Sequence, residues 1–327
     1  MSTIIRIHET GGPEVLQVEQ ADPAQPGNGE ALVRHTAIGV NYIDVYFRTG
    51  LYQGPSLPFT PGMEAAGVVE EVGPDVDQLS PGDRVAYCAG PIGSYCERRV
   101  YPADRLVPLP DGVDDRTAAA AMLKGLTARY LLRQTHRVEP GETIVFHAAA
   151  GGVGLIACQW AKALGATVIG TVGSREKAEL ARAHGCDYPI LYRQEDFVSR
   201  VREITGGEGV PVVYDSVGRD TFMQSLDCLQ ARGHMVSFGQ SSGKIEPLDL
   251  GVLAAKGSLT VTRPSLFHHV ATRQELLTAA NDLFQALASG QVGIRTGATY
   301  PLAEVRRAHE DLEARRTTGS MLLLPSQ

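Results

Sequence analysis

Between Ala148 and Gly154 the chain reads Ala-Ala-Ala-Gly-Gly-Val-Gly, a run of small residues between the short apolar segment from Thr143 to His147 and a long amphipathic one. A strand, a tight small-residue turn and a helix start together make an anion site. Backbone N–H groups and the positive end of the helix dipole point at whatever lies above the turn. The spacing Ala149-x-Gly151-x-x-Gly154 follows the dinucleotide fingerprint with alanine at its first glycine. Gly151, Gly152 and Val153 would bring backbone close to a pyrophosphate, and Gly154 would let helix pack on strand. Taken alone, the motif leaves open a turn that packs and binds nothing. About 20 residues further on, an NAD site would place an acidic side chain against the ribose 2′-hydroxyl. Here the chain has Gly173 and Ser174, followed by Arg175 and Lys177 one turn into the next helix. Gly173 and Ser174 remove the carboxylate that would repel a 2′-phosphate, and Arg175 and Lys177 offer it positive partners, so NADPH is expected as the cofactor.

These residues need elements to hold them. Before Asp111 the chain alternates short apolar runs with Pro and Gly punctuation, as in ALVRHTAIGV, AAGVVEEVG and PGDRVAYCAG. That pattern predicts a twisted, partly closed antiparallel barrel. From Asp114 the pattern changes to strands alternating with helices. Six strands are expected near Thr143 to His147, Thr167 to Thr171, Tyr188 to Leu191, Val210 to Tyr214, Gly233 to Ser237 and Ser258 to Thr262, making a doubly wound parallel sheet of the α/β class. Helices around Arg273 to Ala288 and Leu302 to Arg315, then a strand from Ser320 to Leu324, should return to the first domain.

Composition narrows the function classes. The chain has 327 residues, enough for two domains, and a formal charge of -7. That balance leaves no basic surplus for phosphate backbones, so nucleic acid is not an expected partner. No stretch approaches a membrane span and the start lacks the form of an export signal, so a cytoplasmic protein with no membrane partner is expected. The five cysteines are widely spread with no Cys-x-x-Cys pair, which suggests neither a disulfide framework nor a zinc ribbon.

Several stretches together resemble the zinc-independent NADPH:quinone oxidoreductases related to zeta-crystallin, within the medium-chain dehydrogenase/reductase superfamily. They are HETGGPEVL (8–16), AIGVNYIDVYFRTGLY (37–52), PGMEAAGVVEEVG (61–73), PGDRV (81–85), LKGLTARYLL (123–132), HAAAGGVGLIACQWAKALGA (147–166) and VYDSVGRDTF (213–222). The resemblance implies a GroES-like catalytic domain over residues 1–125, completed by 264–327, and a Rossmann NADPH-binding domain over 126–263. It places the active site in the cleft between them and implies a homodimer joined through cofactor-domain sheet edges. Zinc-holding relatives carry Cys, His and Cys where this chain has Asn41, Met63 and Leu123. An amide, a thioether and an alkyl group do not replace thiolate and imidazole around Zn²⁺, so no metal is expected.

Without a metal, reduction of an unactivated ketone loses the electrophile that stabilises its alkoxide. A quinone escapes that demand, because hydride addition gives an aromatic anion whose charge is spread through the ring. Quinones are therefore the expected acceptors, giving hydroquinones or semiquinones, with α,β-unsaturated carbonyls as the alternative. By resemblance Asn41, Tyr46, Tyr52 and Gln240 line the acceptor, where Asn41 or a tyrosine hydroxyl would polarise its carbonyl. Either Tyr52 or solvent would supply the proton. Asp44 reads first as a turn-stabilising aspartate. Also by resemblance, Tyr42 and Tyr130 lie near the cofactor, Lys177 and Tyr192 beside the 2′-phosphate, and Ser216, Phe238, Ser265 and Arg315 complete the group. Lys124 could approach the cleft but reads first as an exposed helix lysine, and His147 reads as a strand-end histidine with satisfied hydrogen bonds. A different class, a nucleotide-binding structural or RNA-binding crystallin-like protein, also fits such a fold.

Overall fold

The computed structural model describes residues 1–325. Ser326 and Gln327, the end of the expected 264–327 segment, lie outside the described residues. The chain forms two compact units. Unit 1 comprises Met1–Leu126, Val270–Ala288 and Ile294–Gln327, and unit 2 comprises Thr127–His269 with Ser289–Gly293.

Unit 1 opens with an antiparallel pair, β1 (Ser2–Arg6) and β2 (Gln17–Ala21). The long strand β3 (Glu30–Val40) follows, then a short helix α1 (Tyr42–Arg48), β4 (Glu64–Val72), β5 (Arg84–Tyr87), β6 (Arg98–Pro102) and β7 (Val107–Pro108). Helix α2 (Asp115–Tyr130) comes next, and the division between the units falls within it.

In unit 2, six strands alternate with helices: β8 (Thr143–Phe146), α3 (Gly152–Ala163), β9 (Thr167–Val172), α4 (Arg175–Ala183), β10 (Tyr188–Leu191), α5 (Phe197–Ile204), β11 (Val210–Asp215), α6 (Phe222–Asp227), β12 (Leu229–Ser237), α7 (Gly251–Ala255), β13 (Thr260–Thr262) and α8 (Leu266–His269). Every neighbouring pair in this sheet is parallel, and the order is β10-β9-β8-β11-β12-β13. The order reverses between β8 and β11, so the loops leaving those two strands flank the crevice where open α/β sheets hold ligands. Both faces are covered by helices, and the strands accordingly read as apolar runs such as Ile144, Val145 and Phe146, all buried.

The chain then re-enters unit 1 through α9 (Arg273–Ala288), β14 (Thr296–Pro301), α10 (Val305–Glu313) and β15 (Ser320–Leu324). The expected return of the tail is realised as β15 pairing antiparallel with β3, in a sheet of order β14-β15-β3-β4-β5-β7 with β6 also on β3. Register shifts at Leu32/Val33 and His35/Ala37 coil the β3–β4 pair, as a partly closed barrel requires. Its core includes Ile5, Ile38, Val69, Tyr87, Tyr95, Tyr101 and Leu323.

Some expected boundaries differ; β12 begins at Leu229, four residues before the expected Gly233. The last sheet strand begins at Thr260 rather than Ser258, because Ser258 adopts φ 56, a left-handed turn that cannot continue a strand. The segment from Leu302 begins as a 3-10 turn, Leu302–Glu304, and its α-helix ends at Glu313; Arg315, at φ 57, sits just past the end.

Candidate functional site

The glycine turn closes between β8 and α3. Ala148 takes φ 55, and the turn is pinned by Gly151 N donating to Ala148 O at 2.9 Å and Ala149 N to Thr171 O at 3.1 Å. A Cβ on Gly154 would stand 2.3 Å from Ala148 O, so only glycine lets α3 approach the turn this closely. The alanine at the fingerprint's first position is accommodated by a second glycine. A Cβ on Gly170 in β9 would stand 2.6 Å from the Ala149 methyl. Gly151, Gly152 and Val153 are partly exposed at the α3 N-terminus. The cradle therefore keeps the bare backbone and free helix start that a pyrophosphate needs.

At the end of β9, Ser174 caps α4, its Oγ accepting from Lys177 N at 3.3 Å. A Cβ on Gly173 would stand 3.3 Å from the Tyr192 hydroxyl, so Gly173, Ser174, Lys177 and Tyr192 meet at one corner. Beneath the turn lies a buried polar network. His147 bonds Thr171 Oγ1 through Nδ1 and Ser225 Oγ through Nε2, both at 2.9 Å. Burial pushes its pKa down, so the ring is a neutral hydrogen-bonding strut, as its place at a strand end suggested. Ser225 donates to Asp215 Oδ2 at 3.1 Å. The other oxygen of Asp215 accepts from Val217 N and Gly218 N and so shapes the turn that carries Ser216.

The loop after β12 is drawn onto the same corner. Phe238 N donates to Asp215 O, Ser241 N to Ser216 O, and Gly218 packs where a Cβ would stand 2.9 Å from Gln240. Arg263 holds that loop from β13's end by donating to Ser237 O at 3.0 Å and Gly239 O at 2.8 Å. Ser216, Phe238 and Gln240 thus come together. Tyr130 is buried and stacks on His269 at 4.4 Å, and the half-buried Ser265 lies at the entry to α8.

In unit 1 the remaining expected residues cluster around α1. Tyr46 lies between Tyr42 and Tyr52, with ring centroids 6.0 and 4.9 Å away, and Tyr52 N donates to Tyr46 O. Tyr42 is close to Arg315, whose charge and hydrogen bond oppose the upward pKa push of burial on the phenol. Asn41 precedes the helix. Its backbone N–H donates to Asp44 Oδ2 at 2.8 Å and its amide Nδ2 to Glu64 Oε2 at 2.9 Å.

Two polar groups around Asn41 were not expected. Asp44 does brace the helix start, but it is wholly buried and also accepts from Tyr95 OH at 2.8 Å. Behind Tyr95 lies His309, whose Nδ1 receives Arg48 Nη1 at 3.0 Å and whose Nε2 meets Tyr95 OH at 3.0 Å. Arginine only donates, so His309 carries its proton on Nε2 and donates it to Tyr95 Oη, and Tyr95 in turn donates a hydrogen bond to Asp44. Arg48 also bonds Glu313 and Gly11 O. Burial raises the Asp44 carboxyl to about 7, and burial with the Arg48 charge lowers His309 to about 3. The second group corrects the reading of Lys124. It is 5 % exposed, not a solvated helix lysine, and its Nζ lies 3.1 Å from the fully buried Glu64. A lone acidic residue opening the apolar strand EAAGVV was the one sequence signal for such a pair.

Among the described residues, no group of three His, Cys, Asp or Glu side chains is placed to hold a metal ion. The five cysteines are free and buried. No helix among the described residues is long and apolar enough to cross a membrane.

Comparison with known proteins agrees with this layout. The family description "Alcohol dehydrogenase GroES-like domain" matches residues 27–111 and "Zinc-binding dehydrogenase" matches residues 152–284. A quinone oxidoreductase of Pseudomonas aeruginosa is 54% identical over 99% of this chain and 100% of its own. A 2-haloacrylate reductase of a Burkholderia species is 47% identical over 98% of each. The crystal structure of Escherichia coli quinone oxidoreductase complexed with NADPH superposes with a TM-score of 0.97 at 54% identity, covering 99% of this chain and 100% of that one.

Proposed function

The chain belongs to the medium-chain dehydrogenase/reductase superfamily, among its quinone oxidoreductases, and from that premise we propose that it reduces quinones with NADPH and without a metal. The observation that carries this reading is the pair of corners in unit 2. The Ala148–Gly154 cradle leaves backbone donors bare at a helix start. The Gly173, Ser174, Lys177 and Tyr192 corner has no acidic side chain at the end of β9 itself and carries Lys177 at the start of α4, with the exposed Glu176 bonded to Ser174 beside it. NADPH, when bound, supplies a hydride.

The residues we assign to holding it are Gly151, Gly152, Val153 and Gly154 for the pyrophosphate and Gly173, Ser174, Lys177 and Tyr192 for the 2′-phosphate. Tyr42, Tyr130, Ser216, Phe238, Gln240, Ser265 and Arg315 serve the rest of the dinucleotide. Asn41, Tyr46, Tyr52 and Gln240 are the donors we assign to the acceptor, where they would stabilise charge developing on its oxygen. Quinone, hydride and one proton give the anion's conjugate acid, the hydroquinone, and that proton comes from Tyr52 or from water. Catalysis on this reading is chiefly positioning. Residues 1–125 with 264–327 act as the catalytic domain and 126–263 as the cofactor domain. Zinc independence rests on Asn41, Met63 and Leu123, none of which offers a thiolate or imidazole. We further propose a cytoplasmic homodimer joined through the edge strand β13.

The test is steady-state oxidation of NADPH and of NADH with para-quinone, ortho-quinone, enone and aldehyde acceptors, with and without a chelator. Rapid NADPH-dependent quinone turnover that survives the chelator is expected. Activity lost with the chelator would remove the metal-free reading. The 47% identity to a 2-haloacrylate reductase favours a second reading, reduction of an activated carbon–carbon double bond. Enone turnover without quinone turnover would select it.

A further inference from the structure

Glu64 sits at an unusual junction in unit 1. One carboxylate oxygen, Oε2, receives both Asn41 Nδ2 at 2.9 Å and Lys124 Nζ at 3.1 Å, while Oε1 receives Leu123 N at 2.6 Å. The carboxylate therefore fastens together the segments holding residues 41, 63 and 123, the three positions where zinc-holding relatives carry ligands. Glu64 is wholly buried and Lys124 nearly so. The fold also keeps space for the carboxylate, because a Cβ on Gly39 in β3 would stand 2.3 Å from Oε2. An ion pair drawn out of water costs more than apolar residues of the same volume would, so it adds little to stability by itself.

Its chemistry fits another role. A carboxylate only accepts, so the amide edge of Asn41 facing it must be the NH₂ group, which fixes the orientation of the side chain. One amide N–H is spent on Glu64 and the other is left to donate. A bare carboxylate beside that donor would oppose negative charge growing on an acceptor oxygen, and the Lys124 ammonium cancels it.

We propose that Glu64 and Lys124 are positioning and charge-balancing residues for Asn41. They form a neutral internal salt that does for this metal-free site what a metal does elsewhere, holding three segments in register and presenting a donor to the reduced acceptor. The inference rests on quinone reduction with Asn41 as a donor. It makes Lys124→Met more damaging than the paired change Glu64→Gln/Lys124→Met, because only the first leaves an uncompensated carboxylate.

The experiment is a set of kinetic cycles on the full-length protein, with NADPH binding and melting temperature recorded for each variant. Expected are a kcat at least about tenfold lower for Lys124→Met with NADPH affinity unchanged, and partial recovery in the paired variant. In an Asn41→Ala background, the paired change should alter kcat by less than about twofold, since its effect passes through the amide. If Lys124→Met does not fold, the paired variant in the two backgrounds decides alone. A loss from the paired change that is equally large with and without Asn41 would overturn the proposal while leaving the functional reading intact. Absence of quinone turnover by the unaltered protein would overturn both.

Discussion

Asn41 is gripped at two points, its backbone by Asp44 and its amide by Glu64, and neither grip can be read from its sequence neighbours alone. Removing the amide with Asn41→Ala should lower kcat for quinone by on the order of 100-fold with NADPH affinity retained. Unchanged kcat in steady-state assays would take Asn41 out of the acceptor site. Lys177 belongs to a different corner. On the assigned role, Lys177→Ala raises KM for NADPH about tenfold or more and leaves NADH kinetics unaltered, since only NADPH carries the phosphate it would meet. Equal effects on the two cofactors would place Lys177 elsewhere. The residue types at the glycine turn and at Gly173–Lys177 were legible because those motifs are local. Lys124 was misread because a lysine among helix formers gives no sign of a carboxylate 60 residues away in sequence.

At the scale of elements, glycines decide how closely strands and helices approach. Gly154→Ala would drive a methyl against two backbone carbonyls, Ala148 O and Ala149 O, which cannot swing aside. The variant should lose about 1–3 kcal/mol of stability and most NADPH affinity, measurable by urea unfolding and by fluorescence titration. Gly39→Ala tests unit 1 in the same way, since its Cβ would meet Ala119 O at 2.5 Å as well as Glu64. Normal kcat in a folded Gly39→Ala protein would show that the carboxylate's place is not critical. The parallel strands and α9 were visible as apolar runs and helical periods. The start of β13 and the true end of α10 were missed because Ser258 and Arg315 adopt left-handed backbone, which favours no particular sequence signal outside glycine and asparagine.

Across the whole molecule, acid should be a selective stress. His35 is buried with Nδ1 on Cys96 O and Nε2 on Tyr87 OH, and burial, eased by the Cys96 carbonyl and aided by Arg99, lowers it to about 3. His309, facing Arg48 and Tyr95, is also lowered to about 3. Unfolded imidazoles take protons below about 6.5 whereas these do not, so their contribution is complete above that pH and is lost as pH falls from 6.5 towards 3. Asp44, raised to about 7, runs the other way and favours the folded state as pH falls from 7 to 3.8, offsetting one of the two. Net stability should fall by a few kcal/mol, roughly, from pH 7 to pH 4. His309→Gln, which can keep both hydrogen bonds, should flatten that dependence, and a urea midpoint with the same pH slope in the variant would refute the assignment. The sequence by itself determined the α/β class, the six-strand order of elements and the glycine turn after β8, because periodicity and turn chemistry act over a few residues, and its motifs taken together determined the family. Only the tertiary structure decided that Lys124 and Asn41 donate to one carboxylate oxygen of Glu64, that Gly170 makes room for Ala149, and that Asp44, Tyr95 and His309 form a buried chain. Those contacts join segments far apart in sequence, and packing chooses them only once the sheets are closed.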